Sequence, residues 1–379
     1  MKFSLTSEQE LIQKTAREFA AKEIAPFSAE WDREARFPKD VVKKLADLGF
    51  LGMNVAPEHG GAGMDTLSYI LAVEEISRGD AAVGVIMSVN NSLVCWPIDT
   101  YGTPEQKERW LAPLARGEHL GAYCLSEPQA GTDAAAQKAT AKKTDKGWVL
   151  NGTKNFITNG ASADTLVVMA MTDIEAGHKG ISAFIVDAKA SGVGVAHTEK
   201  KMGIRASDTA QITLDDVELG EDGLLGKVGK GFGVAMSTLD GGRIGIAAQA
   251  LGIGQAALDH AISYAREREQ FGKPIGKFQA IQFKIADMAM RLDGARLLTY
   301  RAAWTKDQTP KHSVESAMAK YMASTTAVFC AEEAVQIFGG NGYSKEYPVE
   351  KLMRDAKICD IYEGTNEVQK MVVGATMLA

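Results

Sequence analysis

Three segments of this 379-residue chain set reactive side chains beside glycine or other small residues. The first is Arg354-Asp355-Ala356-Lys357-Ile358-Cys359-Asp360-Ile361-Tyr362-Glu363-Gly364-Thr365-Asn366-Glu367. Glu363 stands between an aromatic ring and a glycine, just after Ile361. A carboxyl group packed in such surroundings has its pKa raised, which makes a competent base near neutral pH. Gly364 would let a substrate or cofactor approach the backbone closely. An ordinary carboxylate at a helix start accounts for the same pattern. The second segment, Asp240-Gly241-Gly242-Arg243, puts two charges on one face if it is helical. Arginine there could grip a phosphate or carbonyl while aspartate accepts from an amide or hydroxyl. In isolation a solvated ion pair explains the spacing better. The third, Tyr123-Cys124-Leu125-Ser126-Glu127-Pro128-Gln129-Ala130-Gly131-Thr132-Asp133, could present donors to an anionic or heteroaromatic ligand. A loop whose Ser and Thr cap neighbouring backbone is the simpler reading.

Other chemistries find little support. Gly252 and Gly254 resemble a dinucleotide fingerprint but lie in a helical stretch with no strand before it, so close helix packing is the better account. His59, His119, His178, His197, His260 and His312 show no ligand spacing, and no metal site is expected. HExxH, GxSxG and P-loop patterns do not occur. Cys95, Cys124, Cys330 and Cys359 lie far apart, as reduced buried thiols would. A net charge of -6 argues against nucleic acid or an anionic membrane as the main partner. No apolar run is expected to approach the roughly 20 residues that span a bilayer, and the start MKFSLTSEQELIQ has neither an apolar leader core nor a transit-peptide composition. A bacterial cytoplasmic location is the expectation, with a mature mitochondrial matrix protein as the alternative.

The elements that must position these segments fall into three blocks. Residues 1–115 read as helical: Ser7 with Glu10 suggests a capping box, Pro38 opens a helix that Gly49 stops, Asp65 precedes a buried helix, and Thr103-Pro104-Glu105-Gln106 starts another. Residues 116–225 hold short β-rich runs, with Lys146-Gly147 and Asn151-Gly152 as turn signals, giving a β-barrel or sandwich. Residues 226–379 return to helical period. Leu251, Leu258 and Ile262 form one face, and Phe278, Ile281, Ile285, Met288, Leu292 and Ala295 form the stripe of a bundle helix. The fold class is α+β, mainly α, with helical, β and helical domains in series.

Six segments in order resemble the acyl-CoA dehydrogenase family along essentially the whole chain: LSEPQAGTD, NGTKNFITNG, LDGGRIGIAAQALGI, REREQFGKPI, QIFGGNGYSKEYPVEKLMRDAK and IYEGTNEVQ. The resemblance implies a C-terminal four-helix bundle, FAD as cofactor and a homotetramer arranged as a dimer of dimers. It implies that Tyr123, Leu125 and Ser126 line the flavin's pyrimidine edge. Phe156, Ile157 and Thr158 would cover the ring, with Phe156 standing where many relatives carry Trp. Arg268, Gln270, Phe271, Gln279, Gln336 and Gly340 match positions that meet the FAD diphosphate and adenosine across a subunit interface. Thr365 and Glu367 follow the base toward the cofactor. Thr132, which also falls in the flavin-contacting run, joins Asp240, Arg243 and Gly364 as coenzyme A or acyl-chain contacts.

The same resemblance implies the reaction. Glu363 removes the α-proton of an acyl-CoA while a hydride leaves the β-carbon for flavin N5, giving a trans-2-enoyl-CoA. Some branched-chain relatives carry the base at the position held here by Gly242, which has no carboxylate, so the assignment falls on Glu363. The run Gly84-Val85-Ile86-Met87-Ser88-Val89-Asn90-Asn91-Ser92-Leu93 looks most like the short-chain, butyryl branch, with Ile86, Met87 and Val89 flooring a shallow pocket. An electron-transferring flavoprotein is the implied acceptor. An acyl-CoA oxidase on the same fold and a non-catalytic helical scaffold are the competing readings.

Overall fold

The computed structural model describes residues 4–378. Met1–Phe3, where the start was read for a leader, and Ala379 lie outside them. Helices fill the chain up to Ala115: α1 (Ser7–Phe19), α2 (Ser28–Glu34), α3 (Lys39–Asp47), α4 (Thr66–Gly79), α5 (Ala81–Ser88), α6 (Trp96–Tyr101), α7 (Pro104–Gln106) and α8 (Ala112–Ala115). The capping box of α1 is made by Thr6 and Gln9, not Ser7 and Glu10. Glutamine at the third helical position closes the box as well as glutamate does, so the helix begins one residue earlier. Pro38 is the N-cap of α3, Asp65 caps α4, and Thr103 with Gln106 forms a complete box on α7.

One helical stretch does reach membrane-spanning length, against the expectation from sequence. Ala81–Tyr101 runs 21 residues at a mean hydropathy of 1.5. Its most apolar window is 94% buried inside the fold, so the apolarity is that of a helix enclosed by protein. The stretch contains a π-helical segment, Val89–Cys95, whose buried Asn90 donates to Leu51 O (2.8 Å) and accepts from the Gly121 N–H (2.9 Å). That pair of bonds ties the helix to the first strand.

The sheet comprises β1 (Gly121–Cys124), β2 (Thr140–Thr144), β3 (Gly147–Thr158), β4 (Thr165–Met171), β5 (Ile181–Asp187), β6 (Val193–Thr198), β7 (Thr209–Leu219) and β8 (Leu224–Leu225). Its order is β6-β7-β3-β2-β4-β5-β8, with β1 parallel to β4. Because β2 meets β4 at a single pair, Thr140 and Met171, the sheet divides there into two leaves. They enclose their own core, in which Trp148 meets Phe184 edge to face at 5.3 Å. The hairpin expected at Lys146-Gly147 is present, with Asp145-Lys146 as its turn and Gly147 opening β3. Asn151-Gly152 does not: it lies inside β3 at a bulge, where Gly152 adopts φ +147° and Asn151 exchanges hydrogen bonds with Asp216.

The C-terminal part holds α9 (Gly231–Glu267), the small hairpin β9 (Glu269–Gln270) and β10 (Lys273–Pro274), then α10 (Gln279–Gln308), α11 (Ser313–Phe338), α12 (Val349–Ile358) and α13 (Asn366–Leu378). Met288, Leu292 and Ala295 of the expected stripe are buried, and Ile281 and Ile285 pack against the same core, which is continuous with that of the N-terminal helices. A Cβ on Gly252 would lie 2.3 Å from Glu74 O, and one on Gly254 would lie 2.8 Å from Leu292 Cδ2. These glycines serve helix packing. On α10, Phe283, Met290, Leu297 and Trp304 recur every seventh residue and stay 60%, 65%, 47% and 62% exposed, a heptad seam without a partner in the chain. The four cysteines are free and buried.

A buried ion pair holds the two segments expected to meet a flavin. Lys154 on β3 donates to Glu127 Oε1 (2.8 Å), Leu125 O (3.1 Å) and Gln137 Oε1 (3.1 Å). Glu127 also accepts from the Lys138 and Ala139 amides. Burial pushes the Glu127 carboxyl up, but the Lys154 charge and the two amides outweigh it and hold it below the usual carboxylate range. Removing one partner strands the other, so Glu127→Ala should cost about 3–5 kcal/mol in urea unfolding. A loss below about 1 kcal/mol, the value of an exposed pair, would contradict this.

Candidate active site

The loop between α12 and α13 sets Glu363 in an unusual backbone. Glu363 has φ +51° and Gly364 φ +89°. A non-glycine residue in the left-handed region costs on the order of 1 kcal/mol or more and is kept only where the surroundings enforce it. Here they do. Gly364 O accepts from Lys320 Nζ (2.9 Å) and Gln369 Nε2 (2.8 Å), and Asn366 joins Lys320, Ser324 and Asp360 through its side chain. Gly364 was expected to give a ligand room. Its Cβ would instead meet Gln369 Nε2 at 2.6 Å, so the glycine is demanded by the turn and its clamp.

The turn aims the Glu363 side chain at α9. A Cβ on Gly242 would fall 2.2 Å from Glu363 Oε2 and 2.6 Å from Leu93 Cδ2. The carboxylate thus occupies the space that a side chain at 242 would fill. One turn on, a Cβ on Gly245 would meet Ser88 Oγ at 2.4 Å and Tyr69 Oη at 2.8 Å. Gly242 and Gly245 therefore let the Glu363 carboxyl, Leu93, Ser88 and Tyr69 pack directly against one face of α9. Ile86, Met87 and Val89, expected as a pocket floor, are buried in the fold.

The electrostatics follow from this enclosure. Burial raises the Glu363 carboxyl to about 8, against the opposing pull of Arg243 and Lys320. Glu363 Oε2, Tyr123 Oη and Arg243 Nε are each buried without a hydrogen-bond partner. Such orphans are costly, and three among the residues around Glu363 leave bonds that a ligand could complete. Arg243 is 6% exposed and pairs with Asp240 (2.5 Å), whose second oxygen accepts from Ser313. The surface ion pair expected from spacing alone is a buried one.

The expected flavin contacts separate into two sets. Tyr123 and Leu125 are buried, Ser126 is half-buried, and the Asn155 N–H donates to Ser126 O at 2.8 Å. Beside that bond, a register shift between Lys154 and Ile157 turns Phe156 outward, with φ +57° and 65% exposure. Ile157 packs its side chain into the sheet core, so only its backbone can face a ligand; Thr158 is half-buried and Thr132 is exposed. The second set lies at one end of the bundle. Arg268, Gln270, Phe271 and Gln279 surround the hairpin, with Phe271 93% exposed. Gln336 and Gly340 are exposed near Phe338, which stacks on Tyr264 at 4.0 Å. Among the described residues no hydrogen bond joins this second set to the Glu363 cluster. Thr365 caps the start of α13, where Glu367 is exposed.

Sequence reasoning gave no individual role to Tyr69, Gly245 or Lys320, and it quoted Ser88 and Leu93 only within the run likened to the short-chain branch. Each lies on a helix whose pattern reads as plain core, and only the fold brings them to Glu363.

Comparison with known proteins agrees with this geometry. Models of the acyl-CoA dehydrogenase N-terminal, middle and C-terminal domains match residues 6–118, 122–217 and 229–378. The chain is 50% identical over 373 residues to a short-chain-specific acyl-CoA dehydrogenase of Clostridium acetobutylicum, covering 98% of each. The solved structure of butyryl-CoA dehydrogenase from Megasphaera elsdenii superposes with a TM-score of 0.99 at 49% identity, each chain fully covered. A structure described as an electron transferring flavoprotein of Acidaminococcus fermentans, at 50% identity and full coverage of both chains, also gives 0.99. Three matched domains in order, at half identity over nearly the full length, place this chain in the acyl-CoA dehydrogenase family.

Proposed function

We propose that this chain is an FAD-dependent enzyme that desaturates a short-chain acyl-CoA between its α- and β-carbons, with Glu363 as the base. The observation that carries this reading is the Glu363 carboxyl sealed over Gly242, its proton affinity raised into the neutral range by burial. The α-proton of a thioester is weakly acidic, so its removal needs a strong base and donors that tighten on the thioester oxygen as enolate charge develops. The Glu363 N–H donates to no backbone acceptor among the described residues and is free to serve there. Arg243 and Asp240, fixed by their buried pairing, suit the polar part of the substrate, with Thr132 and Gly364 beside it.

The residues present fit FAD. Phe156 everted beside the Ser126–Asn155 bond, next to the orphaned Tyr123 hydroxyl, offers an apolar face and polar edge to a flat heteroaromatic ring. Leu125, Thr158, Thr365 and the backbone of Ile157 complete that side. When bound, FAD supplies the acceptor for the β-hydride. Arg268, Gln270, Phe271, Gln279, Gln336 and Gly340 suit its diphosphate and adenosine in a second copy of the chain. The exposed heptad seam of α10 supports such an assembly, a homotetramer. An electron-transferring flavoprotein is the acceptor this reading favours, in keeping with the Acidaminococcus relative. The clostridial relative favours a cytoplasmic location. The short-chain preference rests on Leu93, Ser88 and Tyr69 packing against α9 at Gly242 and Gly245.

Glu363→Gln should retain yellow FAD yet lose substrate-dependent bleaching by about 10³-fold or more; bleaching at the normal rate would refute the base. Since the carboxyl must be ionised to act and is held to about 8, kcat/KM should climb with pH and break near that value. A profile flat from about pH 6 to 9 would speak against it.

Gly242→Ala should displace the carboxyl and lower kcat about 10²-fold with FAD content unchanged. In the Glu363→Gln background the same change should cost almost nothing, because both act on one group; additive losses would separate the two sites.

Across butyryl-, octanoyl- and isovaleryl-CoA, kcat/KM should peak at butyryl. A maximum at octanoyl would overturn the short pocket.

A further inference from the structure

Lys320 on α11 is 0% exposed, and both acceptors of its ammonium are neutral: Gly364 O (2.9 Å) and Asn366 Oδ1 (3.0 Å). Lys154 and Lys351, also buried, each meet a carboxylate at 3.0 Å or less. Burying an ammonium without a countercharge costs several kcal/mol. A purely structural lysine at this position would be better replaced by an apolar side chain of similar length. Its surroundings point to what it does. One acceptor is the carbonyl that follows Glu363 directly, at a turn where two consecutive residues hold positive φ.

We propose that Lys320 is the positioning residue of the base: it clamps the left-handed Glu363–Gly364 turn through Gly364 O and supplies the positive charge that keeps Glu363 ionisable in a dry site. This rests on Glu363 being the base. The clamp is shared, since Gln369 Nε2 reaches the same carbonyl at 2.8 Å, but glutamine brings no charge. The groups facing the pair can be named. Arg243, paired with Asp240, comes from α9; Tyr69 from α4; Tyr123 from β1; the exposed Glu367 from α13; Cys359, Asp360 and Tyr362 from the loop itself. Cys359, Tyr69, Tyr123 and Tyr362 are buried groups pushed to higher pKa and stay neutral through the working range, and Asp360 is bonded to Asn366. Arg243 and Lys320 are therefore the cations that act on Glu363. Burial pushes the Lys320 ammonium down to about 8, the range in which Glu363 itself ionises, so the two charges depend on each other there.

The test uses the FAD-loaded enzyme and pH profiles of kcat and kcat/KM for four variants. In Lys320→Met, kcat should fall about tenfold or more with KM little changed, as for an interaction made only in the transition state. The break in kcat/KM should move up about one pH unit, because losing a nearby opposite charge disfavours the carboxylate. Activity should therefore still be rising at about pH 9, where the wild-type profile has passed its break. Gln369→Leu should lower kcat but leave the break where it is, separating the grip on the carbonyl from the charge. Should Lys320→Met fail to load FAD, Lys320→Gln keeps a donor without the charge and must show the same shift. A folded, charge-free variant at position 320 whose profile breaks at the wild-type pH overturns the proposal. Normal bleaching in Glu363→Gln would instead show that the base reading itself had failed.

Discussion

A carboxylate can be a strong base in a protein only where water is kept from it, and the space for it must then be made by something else. Here that space is the missing side chain at position 242. The Glu363 carboxyl sits where a Cβ on α9 would otherwise be, against Leu93 and within reach of the same wall that Ser88 and Tyr69 complete. Most of the surrounding architecture follows from that one accommodation. α9 must run unbroken past the site so that Gly242 and Gly245 present one continuous small-residue face to Glu363, Leu93, Ser88 and Tyr69. The Ala81–Tyr101 stretch must be buried on nearly every side because it is both the core of the N-terminal helices and the opposite wall, so its polar Asn90 finds partners inside the fold. The loop after α12 must turn left-handed to bring a side chain to α9.

Those demands are expensive and are met by bonds placed nearby. Positive φ at Glu363 is held by Lys320, Gln369 and Asn366. The everted Phe156 is held in the same manner, by Lys154 and Glu127 beneath it and by the Asn155–Ser126 bond beside it. In both places a strained, ligand-facing residue is flanked by a buried lysine that bonds backbone carbonyls. The lysines differ in their partners. Lys154 meets Glu127, and its charge is spent on the fold. Lys320 meets neutral oxygens, and its charge is left to act on the base.

The sequence was legible where function and local structure share a signal. Helix caps at Asp65 and Thr103, the change to β-rich runs and the bundle stripe on α10 were all local patterns, and the structure agrees with them. Asn151-Gly152 was misread because a bulge and a hairpin turn ask for the same residues; only the partner strand decides between them. The resemblance put Phe156, Ile157 and Thr158 on the flavin together, and only the register of β3 shows that the Ile157 side chain turns into the sheet core while Phe156 turns out. The side chains around Glu363 were hidden for a different reason. Leu93, Ser88 and Tyr69 satisfy every requirement of a buried helix, and nothing in their spacing distinguishes a side chain facing a core from one facing a cavity. Lys320 gave no signal at all, since its partners lie 44 and 46 residues away.

On the reading proposed above, the wall that limits chain length also sets basicity. Leu93 touches both the space beside Gly242 and, through it, the carboxyl, so any change that lengthens the pocket at that point also admits water to Glu363. Water would relieve the desolvation that raises the carboxyl to about 8 and would weaken the base as the pocket widened. A longer acyl chain could restore dryness by filling the new space, but a short one could not. Substrate length and proton affinity are therefore coupled through a single layer of side chains. The short-chain enzyme gains its base strength from the tightness that excludes longer substrates. Shifting specificity in this fold requires the floor at Ser88 and Tyr69 to recede while Leu93 stays in place over the carboxylate.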